Sequence, residues 1–92
     1  MKVFKKDMRI NCRTVDEQNM VLDIFEMLGY RWNAGERPRQ YQSYSVPMCY
    51  SIYDSNTGKF VQNSRCYNNG TEAKDLHNMW ISLKRRRHEI KQ

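Results

Sequence analysis

The chain has 92 residues, a formal charge of +6 from 16 basic and 10 acidic side chains, and is 39% apolar and 12% aromatic. A chain of this length forms one domain that buries roughly two-thirds of its unfolded surface, and its apolar content is too high for a disordered tail. No apolar run approaches the ~20 residues of a membrane span. The opening Met-Lys-Val-Phe-Lys-Lys-Asp also lacks the apolar stretch of a secretory signal, so a cytoplasmic protein that needs no membrane is expected.

Residues 7–13 alternate, with Met8, Ile10 and Cys12 on one side and Arg9, Asn11 and Arg13 on the other, which predicts a half-buried strand. Thr14-Val15-Asp16-Glu17 fits a capping box, in which the threonine oxygen accepts from the third helical amide and Glu17 reaches back to the Thr14 amide. A helix over 15–28 follows, with Met20, Val21, Ile24, Met27 and Leu28 on its apolar stripe, broadened by Phe25. Gln18, Asn19, Asp23 and Glu26 are expected on its wet side. Gly29 is placed to stop the helix in a left-handed conformation, and Tyr30 to Asn33 reads as a short strand.

Ala34 to Gln40 is polar, carries Gly and Pro, and predicts an exposed loop. Residues 41–53 are rich in strand formers, interrupted at Pro47, which marks an edge, bulge or break. Asp54 to Gly58 predicts a hairpin loop and Lys59 to Ser64 its return strand. Arg65 to Gly70 reads as a connection, and Thr71 as the N-cap of a second helix, with Glu72 and Asp75 in its first turn. Ala73, Leu76, Met79, Trp80, Leu83 and Ile90 form that helix's apolar stripe, and Lys84-Arg85-Arg86-Arg87 falls in its last turns.

The order β-α-β-β-β-α predicts an α+β fold: a small antiparallel or mixed sheet of 3–4 strands with two helices on one face. The whole of 1–92 is one domain, with a basic helix end at 84–92 that is free to fray. The opposite sheet face is expected open to solvent or a partner.

A capped amphipathic helix that runs into Gly29-Tyr30, Trp32 and Gly35 resembles a group of small phage-encoded α+β accessory proteins, over about residues 15–35. The resemblance implies a non-enzymatic protein that antagonises host defence from the host cytoplasm.

Chemistry-bearing motifs are sparse. The three cysteines Cys12, Cys49 and Cys66 are an odd number at irregular spacing, and with His77 and His88 they make no close ligand pair of the kind zinc sites use. They read as reduced structural thiols, so no metal, cofactor or catalytic residue is expected. A thiol enzyme with a histidine base is the weakest of the alternatives. Acidic DNA mimicry is disfavoured by the positive charge.

Two surfaces are candidates for contact. The run Lys84, Arg85, Arg86 and Arg87 could bind phosphate or an acidic surface. On the outer sheet face, Arg9, Arg13 and Tyr53, together with Tyr41, offer guanidinium and phenol groups suited to RNA stacking or to a protein partner. The expected function is binding, and thereby inhibiting or modulating, a host protein or nucleoprotein complex that handles nucleic acid. Direct, weakly sequence-specific RNA or DNA binding is the alternative, and the chain is expected as a monomer or homodimer.

Overall fold

The computed structural model describes residues 4–90, and the side chains of residues 4–85. The elements are β1 (Arg9–Cys12), α1 (Val15–Met27), β2 (Arg31–Trp32), a 3-10 turn (Pro38–Gln40), β3 (Met48–Asp54), β4 (Lys59–Asn63), β5 (Thr71–Glu72) and α2 (Ala73–Ile90). The sheet runs β2-β4-β3-β1-β5. Its three central strands pair antiparallel, while both edge strands pair parallel to their neighbours. The fold is therefore α+β with a mixed sheet, of five strands where three or four were expected. Among the described residues no helix is long and apolar enough to cross a membrane.

Both ends of α1 form as the residues dictate. The Glu17 amide donates to Thr14 Oγ1 at 3.1 Å, while the Glu17 carboxylate accepts from the Arg13 amide at 2.6 Å, one residue before the amide expected. At the other end Gly29 adopts φ +80°, a conformation costly for any residue with a Cβ. The Tyr30 amide then reaches back to Phe25 O at 2.8 Å and the Gly29 amide to Glu26 O at 3.1 Å, a paired closure that satisfies the last carbonyls. Tyr30 stacks on Phe25 with centroids 5.6 Å apart, so the turn is locked by packing as well as by hydrogen bonds. Trp32 follows in β2 and packs on Phe60 at 4.5 Å.

Ile10, Tyr50, Ile52 and Phe60 from the inner sheet face, and Val21, Leu22, Ile24 and Phe25 from α1, are all buried in one core with Ala73 and Leu76 of α2. The two helices thus share one face of the sheet. Burial along α2 ends early: Leu76 is buried, Trp80 is half-buried and Met79 is 37% exposed, against its expected place in the stripe. Ile90 lies outside the described side chains.

Four further expectations change. Gln18, assigned to the wet side of α1, is fully buried, because the 41–47 segment folds over it; its amide donates to Ser45 O at 2.7 Å and its carbonyl accepts from Gln42. That segment is irregular rather than a strand, and β3 begins directly after the cis Val46–Pro47 bond. Met27, placed in the apolar stripe, is 58% exposed, at the edge of a groove that α1 forms with α2. Thr71 and Glu72 form β5 beside Ile10 and Asn11 instead of capping α2, because pairing with β1 supplies their backbone groups with partners.

The connection 64–70 produces the largest departure. It passes from β4 to β5, skipping two strands, and lies across part of the outer face expected to be open. Asn11 and Cys49, a directly paired couple on that face, are consequently fully buried.

Candidate partner-binding surface

The alternation of β1 and β3 puts Arg9, Asn11, Cys49, Ser51 and Tyr53 on the outer face, away from the helices. A buried amide such as that of Asn11 must find partners, and here it does so completely. Asn11 Nδ2 donates to Tyr67 O at 2.8 Å and to Glu72 Oε2 at 2.9 Å, and Asn11 Oδ1 accepts from the Tyr67 amide at 3.0 Å. Asn11 thus reads both backbone groups of Tyr67, as a neighbouring strand would, and fixes the connection at that residue. Gly70 closes against the same amide: a Cβ there would stand 2.8 Å from its oxygen and nitrogen.

The consequence is the position of the Tyr67 ring. Arg9 Cζ lies 4.1 Å from its centroid and Arg65 Cζ 4.8 Å, so two guanidinium groups rest against one phenol. Each such contact contributes about 0.5–1 kcal/mol at a partly exposed site. The Arg65 guanidinium also hydrogen-bonds Tyr67, which raises its pKa further. Arg31 and Arg37 both pair with Glu26, Arg39 pairs with Asp23 and Arg13 with Glu72. Arg9 and Arg65 have no carboxylate partner among the described residues. The outer face therefore carries two guanidinium charges held in place and not neutralised.

Tyr53, 59% exposed, extends this surface at the bulge where β3 slips against β4 between Ile52 and Asp54. Beside it lies a shallow recess of about 440 Å³ lined by Lys6, Asp7, Asp54 and Asn56. The Thr57 and Asn56 amides donate to the Asp54 carboxylate and hold its pKa below the usual carboxylate range.

The remaining candidates sit elsewhere. Arg13 is on the exposed rim of the outer face, but it is engaged: Nε donates to Glu72 Oε1 at 2.8 Å and Nη2 to Oε2 at 3.0 Å. That pairing, helped by Asn11, holds Glu72 down to about 2. Tyr41, 58% exposed, stands on the helix side with Trp32, Gln42, Ser43 and Gln62 around a recess of about 330 Å³. Lys84 and Arg85 are exposed on α2, also on the helix side, with Lys84 Nζ 5.7 Å from the Trp80 ring. The side chains of Arg86 and Arg87 lie outside the described residues. The sheet face and the basic helix, the two candidate contact surfaces, belong to opposite layers of the domain.

Arg65 and Tyr67 were not singled out in the sequence, where they fall in a polar connection. Their only local signal is an aromatic residue two positions after an arginine, and nothing in that spacing puts the pair over Arg9.

The thiols are set by burial. Desolvation pushes Cys12 up to about 12, and Cys66, half-buried with its thiol 3.4 Å from Met48 O, is also raised. Thiols kept protonated in this way are poor nucleophiles and poor metal ligands. Among the described residues no group of three His, Cys, Asp or Glu side chains is arranged to hold a metal ion. Comparison of the chain with protein-family models, curated proteins and solved structures gave no match.

Proposed function

We propose that this protein acts by binding, without catalysis, as an accessory protein of the phage type that occupies a nucleic-acid-handling complex of its host and inhibits or redirects it. The observation that carries this reading is the pair of un-neutralised guanidinium groups on Tyr67, with Tyr53 exposed beside them. Arginine and tyrosine supply much of the energy of protein contacts, because both bury large area and still offer donors. Their prior stacking lowers the ordering cost of association. Action in the host cytoplasm, as a monomer or homodimer, belongs to the same proposal.

Direct RNA or DNA binding is the second reading, and the same uncompensated charges favour it. Two phosphate contacts from this face, one for each guanidinium, would weaken single-strand binding roughly sevenfold between about 50 and 200 mM salt. The two readings separate in one experiment. The tagged protein is used to capture partners from bacterial lysate with and without nuclease, alongside an Arg9→Ala/Tyr53→Ala/Arg65→Ala variant. A protein complex that survives nuclease and is lost with the variant supports the first reading. Salt-sensitive oligonucleotide binding, lost with the variant and with no nuclease-resistant partner, supports the second. Equal capture by both proteins would end both.

A further inference from the structure

The helix layer carries a second surface, independent of the outer sheet face. Met20, Asp23, Ile24 and Met27 of α1 stand at i, i+3, i+4 and i+7, and His77, Trp80, Ile81 and Lys84 of α2 repeat that spacing. These two rows line one groove of about 390 Å³ between the helices. Ile24 forms its buried floor, while Met20, Trp80 and Ile81 are half-buried and Met27 is 58% exposed. Two ridges with a gap between them are the complement of a third helix, whose own i, i+3, i+4, i+7 row would fill the gap. Methionine on the walls suits such a site, since its flexible thioether chain adapts to the side chains of an incoming helix.

Charge on the rim selects the partner. The Asp23 carboxylate is taken up by Arg39 Nη1 at 3.1 Å. Lys84, on the groove wall, has no carboxylate partner among the described residues, and neither has Arg85 next to it in the chain. The rim is therefore cationic on balance. A second copy of this chain, at +6, would meet it with like charge, whereas an acidic helix is drawn to it. We propose that the α1–α2 groove docks an amphipathic helix of a partner protein, with apolar anchors in the groove and glutamate or aspartate on the flank facing Lys84 and Arg85.

The test uses a synthetic 18-residue helical peptide with leucines at i, i+3, i+4 and i+7 and glutamates on its flanks. An otherwise identical peptide carries lysines in place of the glutamates. Binding is followed by NMR on the full chain through the methionine methyl groups and the Trp80 indole. The acidic peptide is expected to shift Met20, Met27 and Trp80, and the lysine peptide to bind at least about tenfold more weakly. Met27→Asp and Lys84→Glu/Arg85→Glu, all at exposed positions, should each weaken the acidic peptide by a similar factor while leaving the thermal melt of the chain close to wild type. The proposal fails if the peptide does not bind, or if its shifts map to the Tyr41 recess or the sheet face. It also fails if neither variant matters, or if the peptide-free chain forms a dimer that buries the same methyl groups.

Discussion

Replacing Asn11 with alanine probes the link between the fold and the proposed contact surface. The side chain is fully buried and makes three hydrogen bonds, two to the Tyr67 backbone and one to Glu72. If the connection stayed in place, the Tyr67 N–H and C=O would be left unpaired under cover, at about 1–3 kcal/mol each. If the connection lifted to let water in, the loss would be three net hydrogen bonds of about 1 kcal/mol apiece, plus the cover over Cys49. Both routes lead to about 3 kcal/mol, which for a domain of this size lowers Tm by roughly 12–24 °C. A lifted Tyr67 backbone recovers hydrogen bonds from water that a covered one cannot, so lifting is the expected route and the Tyr67 ring should leave Arg9. Partner binding should then fall although Arg9, Tyr53 and Arg65 are untouched. Urea unfolding gives the stability, and the Tyr67 ring resonances report the stacking. Asn11→Asp is a sharper control, because it keeps the acceptor but sets a carboxylate against the Tyr67 carbonyl and Glu72. A loss under about 1 kcal/mol for Asn11→Ala, or unchanged Tyr67 resonances, would refute the reasoning.

Gly70→Ala should destabilise the chain, since its Cβ would meet the Asn11 amide at 2.8 Å, and the penalty should largely vanish in an Asn11→Ala background; additive effects would show that the clash is not with Asn11. Arg13 first, and Asn11 second, hold Glu72 down to about 2 from its ordinary 4.5. The folded value lies below the unfolded one, so this stabilisation is complete above about pH 4.5 and is lost as pH falls toward 2. Glu72→Gln should flatten that part of the stability profile, and a profile parallel to wild type would contradict the linkage. The Tyr50 hydroxyl is buried with no hydrogen-bond partner among the described residues, and desolvation raises its pKa. Tyr50→Phe should therefore leave stability unchanged or raise it by up to about 1 kcal/mol in thermal melts, whereas a clear loss would reveal a partner for the hydroxyl.

Local signals in the sequence translate directly into structure where both partners lie within a few residues of each other. The Thr14 cap, the Gly29 closure and the alternation of β1 and β3 are all of this kind, and they suffice for two helices on one sheet face. What escapes is settled by distant segments. Gln18 looks like a wet helix position until the 41–47 segment closes over it. Thr71 and Glu72 look like a helix start until β1 offers them a strand to pair with. Asn11 reads as an outward polar residue, and its burial depends on a connection more than fifty residues later. The candidate surface was legible in part for the same reason. Arg9 and Tyr53 follow from period-2 alternation, but Arg65 and Tyr67 reach Arg9 only through a crossover whose path no local pattern encodes.

The outer sheet face as contact surface is tested most directly by crosslinking. A photoreactive phenylalanine replaces Tyr53, and the product formed in bacterial lysate is compared with one from the same substitution at Tyr41, which is equally exposed but on the helix side. The expected result is a discrete adduct from position 53 that disappears with Arg9→Ala/Arg65→Ala, and none from position 41. An adduct confined to position 41, or one from position 53 that is indifferent to the two arginines, would contradict the account.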